Sequence, residues 1–289
     1  MINLYATPYE IKSQLGDGIN QTVAKYDAAF IKMVAGVSRL IDNLTGRQFY
    51  PSFETRYYDG SGLIRQWIDD LISLDKVYYS DDNGQSYIEQ IVNTDFFLTR
   101  AGNRNNPAAY NYLVGNLQSS RNYYPKGQNS VKISGWWGYT EDRAYAWLSA
   151  DTLGAAITTT TATSITVSDA DGFDAFGVSP RFQQGHIIKI DNELMAVALV
   201  DPAENKLTVI RGLNGSTAAT HLISAPVLVW QTPKLAGQAC VMQTVRTINR
   251  AWQGFADGRA TPELGGQVLW VKRLDPEVIT FLETMVSHL

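Results

Sequence analysis

Residues 40–62, LIDNLTGRQFYPSFETRYYDGSG, change their periodicity halfway through. Upstream and into this stretch, Phe30, Val34, Val37, Ile41 and Leu44 recur at three- and four-residue spacing. That spacing predicts an amphipathic helix over about 27–44. Gly46 stands where a helix stop wants a left-handed residue, so Thr45-Gly46-Arg47 reads as a helix C-cap rather than a binding loop. Beyond it the pattern alternates. Residues 55–59 and 63–67, joined by Asp59-Gly60-Ser61-Gly62, are expected to pair as a hairpin.

Working outward, Thr7-Pro8-Tyr9-Glu10 carries a capping residue, a proline suited to the first turn and the acid of a capping box, with Gly16 as the stop. Strand candidates follow at 74–80, 87–91, 96–99 and 130–137, and 100–110 reads as a loop rich in Asn and Gly. A helix resumes near Gln238 with Val241, Val245, Ile248 and Trp252 at helical spacing. A last one starts after Leu274-Asp275-Pro276-Glu277 and carries Val278, Phe281, Leu282 and Met285.

Residues 151–232 read differently. They hold none of the 15 tyrosines and one of the seven tryptophans, with four Lys/Arg against eight Asp/Glu, which leaves the remainder neutral. Alternation at 164–167, 187–190, 194–200, 207–210 and 227–230 predicts five short strands in a small antiparallel barrel or sandwich. The shift in composition marks an inserted domain whose ends lie close together. Such an insert is expected to be removable, with a short linker, from a folded remainder.

With 289 residues, two compact units are expected. The net charge is -4 and the longest basic run is Lys272-Arg273, so no stripe for gripping DNA phosphates is present. One cysteine, Cys240, precludes an internal disulfide and is expected as a small core residue. No basic-then-apolar leader occurs, and no apolar run approaches the roughly 18 residues of a membrane span. The expectation is a soluble protein made in a reducing cytoplasm.

Catalytic signatures are sparse. The chain has no G-x-x-x-x-G-K-[ST], G-x-G-x-x-G or G-x-S-x-G, and His186, His221 and His288 lack zinc-site spacing. Asp169-Ala-Asp171-Gly172-Phe-Asp174 has its glycine at position four and Pro180 at position twelve, so it reads as a solvated turn. Asp81-Asp82-Asn83-Gly84 reads likewise. No catalytic, cofactor-binding or metal-binding residue is assigned. The pairs Tyr57-Tyr58, Tyr78-Tyr79, Tyr123-Tyr124 and Trp136-Trp137 are expected to split, one member packing and one exposed. The exposed members suit a protein interface, with a sugar- or base-stacking groove as the other reading.

The succession ATPYEIKSQLG, LIDNLTGRQFY, TRYYDGSG-LIRQW, DDLISLDKVYYSDDNGQ and DFFLTR, then VKISGWWGYTED and the closing RLDPEVITFLETM, resembles the tailed-bacteriophage head–tail connector (adaptor) family. The resemblance covers about 1–148 and 233–289 and rests on the order of the parts. It implies an α+β fold: a small helical bundle with a β-hairpin region, here interrupted by the small all-β domain 151–232. It also implies a non-enzymatic structural virion protein at the neck, built as a ring of about twelve copies. Its partners are the portal protein and a stopper or tail-completion protein, and DNA passes without tight binding. In the family this chain end reaches toward the portal, which assigns Val278, Phe281, Leu282, Met285 and Leu289 to that contact. Packing of the same stripe on its own subunit is the other reading. Within 151–232, GHIIKIDNELMAVALV and NKLTVIRGLNGSTAATH resemble small β-modules of phage structural proteins in which Glu193, Arg211, Gly212 and His221 recur. A buried salt bridge and a tight turn fit these four better than an acid–histidine catalytic pair. Two other functions are weighed: a tail-associated carbohydrate- or receptor-binding protein using the insert, and a glycan hydrolase using two carboxylates.

Overall fold

A computed structural model describes residues 3–16, 24–100, 103–119, 123–252, 258–260, 268–270 and 274–287. The chain divides into a helical unit, Met1–Arg47 with Gln183–His186 and Thr232–Leu289, and a β unit, Gln48–Phe182 with Ile187–Gln231. The expected small helical bundle interrupted by a small β-domain is corrected. Most of the described chain forms two antiparallel sheets of twelve strands, with four short helices. The hairpin segments are not appendages of a bundle; they form a sheet around a core of their own.

In the helical unit, α1 (Pro8–Gln14) starts with the expected capping box at Thr7 and Glu10. Helix α2 (Asp27–Thr45) ends on Gly46, which sits at φ 64° and donates its N–H to the Asp42 carbonyl. Phe30, Val34, Val37 and Ile41 are buried, but Leu44 is 44 % exposed and Thr45 is buried in its place. Helix α3 (Lys234–Trp252) packs against α1, α2 and α4 and buries Ala236, Ala239, Cys240, Gln243, Thr244 and Ile248. Of the expected stripe Val241, Val245, Ile248 and Trp252, Ile248 is buried, Val241 and Val245 are half-buried and Trp252 is exposed; the other inward positions are mostly small residues, which let two helix backbones approach. Helix α4 (Pro276–Met285) packs against α2 and α3. The short strands β13 (Gly258–Ala260) and β14 (Val268–Trp270) pair antiparallel.

The first sheet of the β unit contains β1 (Ser52–Gly60), β2 (Arg65–Tyr79), β3 (Ile88–Gln90), β4 (Phe96–Thr99), β5 (Tyr110–Gly115) and β6 (Gly127–Trp137). Its order is β1-β6-β2-β5-β4, with β3 on β2. The expected hairpin between β1 and β2 is not formed, because β6 lies between them. Strand β2 serves three neighbours: Arg65–Trp67 and Leu71 pair with β5, Leu71–Tyr79 with β6, and Val77–Tyr79 with β3. Register shifts at Leu71–Ser73 and Leu74–Lys76 interrupt its ladder with β6. Its core holds Ile68, Leu71, Val77, Phe96, Leu113, Val131, Ile133 and Trp137.

The second sheet contains β7 (Trp147–Thr152), β8 (Ser164–Thr166), β9 (Ile187–Ile190), β10 (Glu193–Asp201), β11 (Lys206–Ile210) and β12 (Pro226–Trp230), in the order β7-β12-β9-β10-β11-β8. The two outermost strands meet through a bridge between Leu153 and Val167, so the sheet curls shut around Leu153, Ile165, Ile188, Met195, Leu207 and Val227. Five strands stand where the alternation places them; β7, which begins at Trp147, is additional. A third cluster joins the sheets: Ile72 with Tyr50 and Trp136 from one side, and Ile187, Leu194, Leu213 and Trp230 from the other.

Candidate functional site

A group of four ionisable side chains, Asp191, Glu193, Arg211 and His221, gathers where β10 begins and β11 ends. Asp191 and Asn192 form a two-residue link between β9 and β10, with Asp191 at φ 51°, the left-handed geometry such hairpins require. The link brings Asp191 and Glu193 to the same end of the barrel. Arg211 leaves β11 there, and the following loop returns His221 through a bridge to Ile157.

Glu193 is the centre. Its carboxylate receives Arg211 Nε at 2.6 Å and Nη2 at 2.7 Å, a two-pronged grip. The Gly212 N–H donates to it at 3.1 Å and the Ala219 N–H at 2.9 Å. His221 Nε2 lies 2.9 Å from Glu193 Oε2, while Nδ1 lies 2.7 Å from Asp191 Oδ2. Arg211 also donates to the carbonyls of Thr159, Ala162 and Ala219. The Glu193, Arg211 and His221 side chains are almost wholly buried, and that of Asp191 is exposed. Burial pushes the Glu193 carboxyl up, but Arg211, the Ala219 amide and His221 together outweigh it and hold the group below 4.5.

This arrangement is a clasp. Glu193 and Arg211 tie together segments near residues 159–162, 193, 211–212 and 219–221. Both imidazole nitrogens of His221 face carboxylates, so neither is turned toward a hydroxyl or thiol that it could activate. Asp191 and Glu193 also lie on opposite sides of the ring and do not converge on one point as metal ligands would. The buried salt bridge and tight turn expected of Glu193, Arg211, Gly212 and His221 are what the geometry contains. Asp191 was missed from sequence; the Asp-Asn link between two apolar strands was the available signal.

The same loop fastens the barrel to the first sheet. Asn214 Nδ2 donates to Pro51 O at 2.8 Å, and its carbonyl accepts Phe53 N–H at 2.8 Å. Gly215, at φ 82°, passes so close that a Cβ there would lie 2.1 Å from Phe53 O.

The other sequence candidates are placed as follows. Val278, Leu282 and Met285 are buried in the helical unit, Phe281 is half-buried, and Leu289 lies outside the described residues. Asp275 caps α4 through the Glu277 N–H and pairs with Arg246. Cys240 is buried near Ser38, and burial pushes its thiol up to about 12. Asp169 accepts from the Gly172 N–H and pairs with Arg181. Asp174 accepts from the Phe176 and Val178 amides, so both carboxylates serve their own turn. Each aromatic pair splits: Tyr58, Tyr79, Tyr124 and Trp137 are more buried than Tyr57, Tyr78, Tyr123 and Trp136. No described helix is long and apolar enough to cross a membrane.

Comparison of the chain with protein-family models, with curated protein sequences and with solved structures gives no match.

Proposed function

We propose that this protein is a structural component of a tailed-phage virion, a head–tail connector that joins head to tail as a ring below the portal. One observation carries the reading. Three segments with connector-like sequence, ATPYEIKSQLG, LIDNLTGRQFY and RLDPEVITFLETM, supply α1, the end of α2, and α4, which pack into one helical unit through α3. Segments far apart in the chain thus belong to a single structural unit. The clasp at Glu193 adds support of a second kind, since its geometry is that of a lock that holds loops in place.

In this reading the helical unit meets portal and neighbouring copies, and DNA passes with few phosphate contacts because the chain has no basic stripe. Mass photometry and negative-stain imaging of the purified protein, alone and with the portal of the same phage, test it. Rings, or a portal complex with a fixed number of copies, are expected. A protein that remains a monomer in both conditions sinks the proposal.

A further inference from the structure

The outer face of the first sheet carries a second group of side chains, independent of the connector reading. Tyr57 of β1 stands opposite Lys132 of β6, and Lys132 stands opposite Tyr78 of β2, so the three form one row across three strands. Tyr87, from the link between β2 and β3, joins them. Its ring centre is 6.3 Å from that of Tyr57, and its hydroxyl is held by the Asn129 carbonyl at 3.0 Å. The Lys132 ammonium is 5.1 Å from the ring centres of both Tyr78 and Tyr87. It is half-buried among them and makes no ion pair with any described residue. The nearby Lys76 is paired with Glu89.

We propose that this face is a binding site for an acidic polysaccharide whose sugar rings carry carboxylates. Tyrosine rings offer flat apolar surface to the C–H face of a pyranose and cost little ordering entropy. Tyr57 and Tyr78 stand two strand spacings apart, about 10 Å, the span of a disaccharide. The ammonium of Lys132 supplies the charge that a ring carboxylate needs, and the aromatic walls shield it from water. Hydroxyls for sugar recognition lie in the next row, where Thr55 and Ser134 oxygens are 2.7 Å apart. Single-stranded nucleic acid also stacks on aromatics, but it needs a cationic track along its backbone. Here Lys132 is the cation against the rings, the row ends beyond Tyr78 in Glu89, which Lys76 pairs, and the chain's net charge is -4.

The test uses the full chain and calorimetric titration with a short oligogalacturonate, its neutral methyl ester and a thymidine decanucleotide. Saturable binding of the oligogalacturonate near or below about 1 mM is expected. The methyl ester should bind about tenfold more weakly, and so should the acid to Lys132→Met or Tyr57→Ala. Both variants lie on a solvent-facing surface, and their unfolding midpoints are measured alongside. The ester comparison needs no variant and stands if one fails to fold. The proposal is overturned if the acid does not bind, if acid and ester bind equally, or if the oligonucleotide binds more tightly than the sugar.

Discussion

Arg211 holds Glu193 by two nitrogens at 2.6 and 2.7 Å with both side chains almost wholly removed from water. A pair of this kind is costly to break, because the surviving partner is left as a buried, uncompensated charge. Arg211→Ala is expected to destabilise the β unit by about 3–5 kcal/mol. The double change Glu193→Leu with Arg211→Met should recover part of that loss, since it leaves no buried charge. Urea unfolding followed by tryptophan fluorescence reads both; equal damage from single and double variants would show that the charge is not what matters.

Acid should affect the two units in opposite directions. The folded Glu193 carboxyl lies below its ordinary 4.5. Its contribution is therefore complete above that value and lost as pH falls through the lower folded value. Glu10 is raised above 4.5, by burial first and against the hydrogen bonds to Thr7. Its contribution is complete below 4.5 and lost as pH rises through the higher folded value. Asp42 of α2, raised by burial despite Tyr5 and Arg39, acts in the same sense. Peptide-resolved hydrogen exchange below pH 5 should show β10 and β11 losing protection while α1 keeps it. Glu193→Gln should flatten the first response and Glu10→Gln the second.

Replacing 151–232 with a short linker tests how far the first sheet stands without the second. The cut removes Ile187, Leu194, Leu213 and Trp230 from the layer that covers Ile72 and Trp136. It also removes Asn214, which bonds Pro51 and Phe53. The shortened chain is expected to bind a hydrophobic dye and to melt earlier than the intact protein. Cooperative unfolding at the original temperature would show that the first sheet does not need this cover.

On α4 the buried and exposed faces can be separated by single changes. Leu282→Ala, at a buried position, should cost about 2–5 kcal/mol. Ile279→Asp, where the side chain is 37 % exposed, should leave the helical unit folded. If α4 also meets the portal, Ile279→Asp should lower portal binding without lowering the melting temperature. Loss of folding in Ile279→Asp would mean that both faces serve the subunit's own interior.

Much of the local structure could be read from residues whose effect is local. Thr7, Gly46 and Asp275 mark helix ends by capping chemistry that depends on a few neighbours, and each does so in the structure. Tyr57-Tyr58 and Trp136-Trp137 split between faces because a strand alternates strictly. The sheet order was not legible: β6 separates β1 from β2 by pairing across some seventy positions, and adjacent strands read naturally as a hairpin. Strand β7 escaped because its mixed pattern, Trp-Leu-Ser-Ala-Asp-Thr, gives little alternation. On α3, Cys240 and Ile248 were legible as buried, whereas Ala236, Ala239, Gln243 and Thr244 escaped because small and polar side chains carry little hydrophobic signal. At the clasp, Glu193, Arg211 and His221 were found as a motif, whereas Asp191 needed the hairpin to bring it to the ring.

Helices α1 and α2 find their partners α3 and α4 only after the whole β unit has intervened. At roughly 5–20 residues per second, a ribosome needs on the order of 10–40 s to travel from the end of α2 to the start of α3. During that interval Phe30, Val34 and Ile41 have no α3 to cover them, while the first sheet, complete at Trp137, can already form. The nascent chain thus holds a sticky helix in waiting until the β unit has been made. Slow translation or truncated messages should leave products that chaperones retain, and the yield of sound protein will depend on that delay as much as on the final stability.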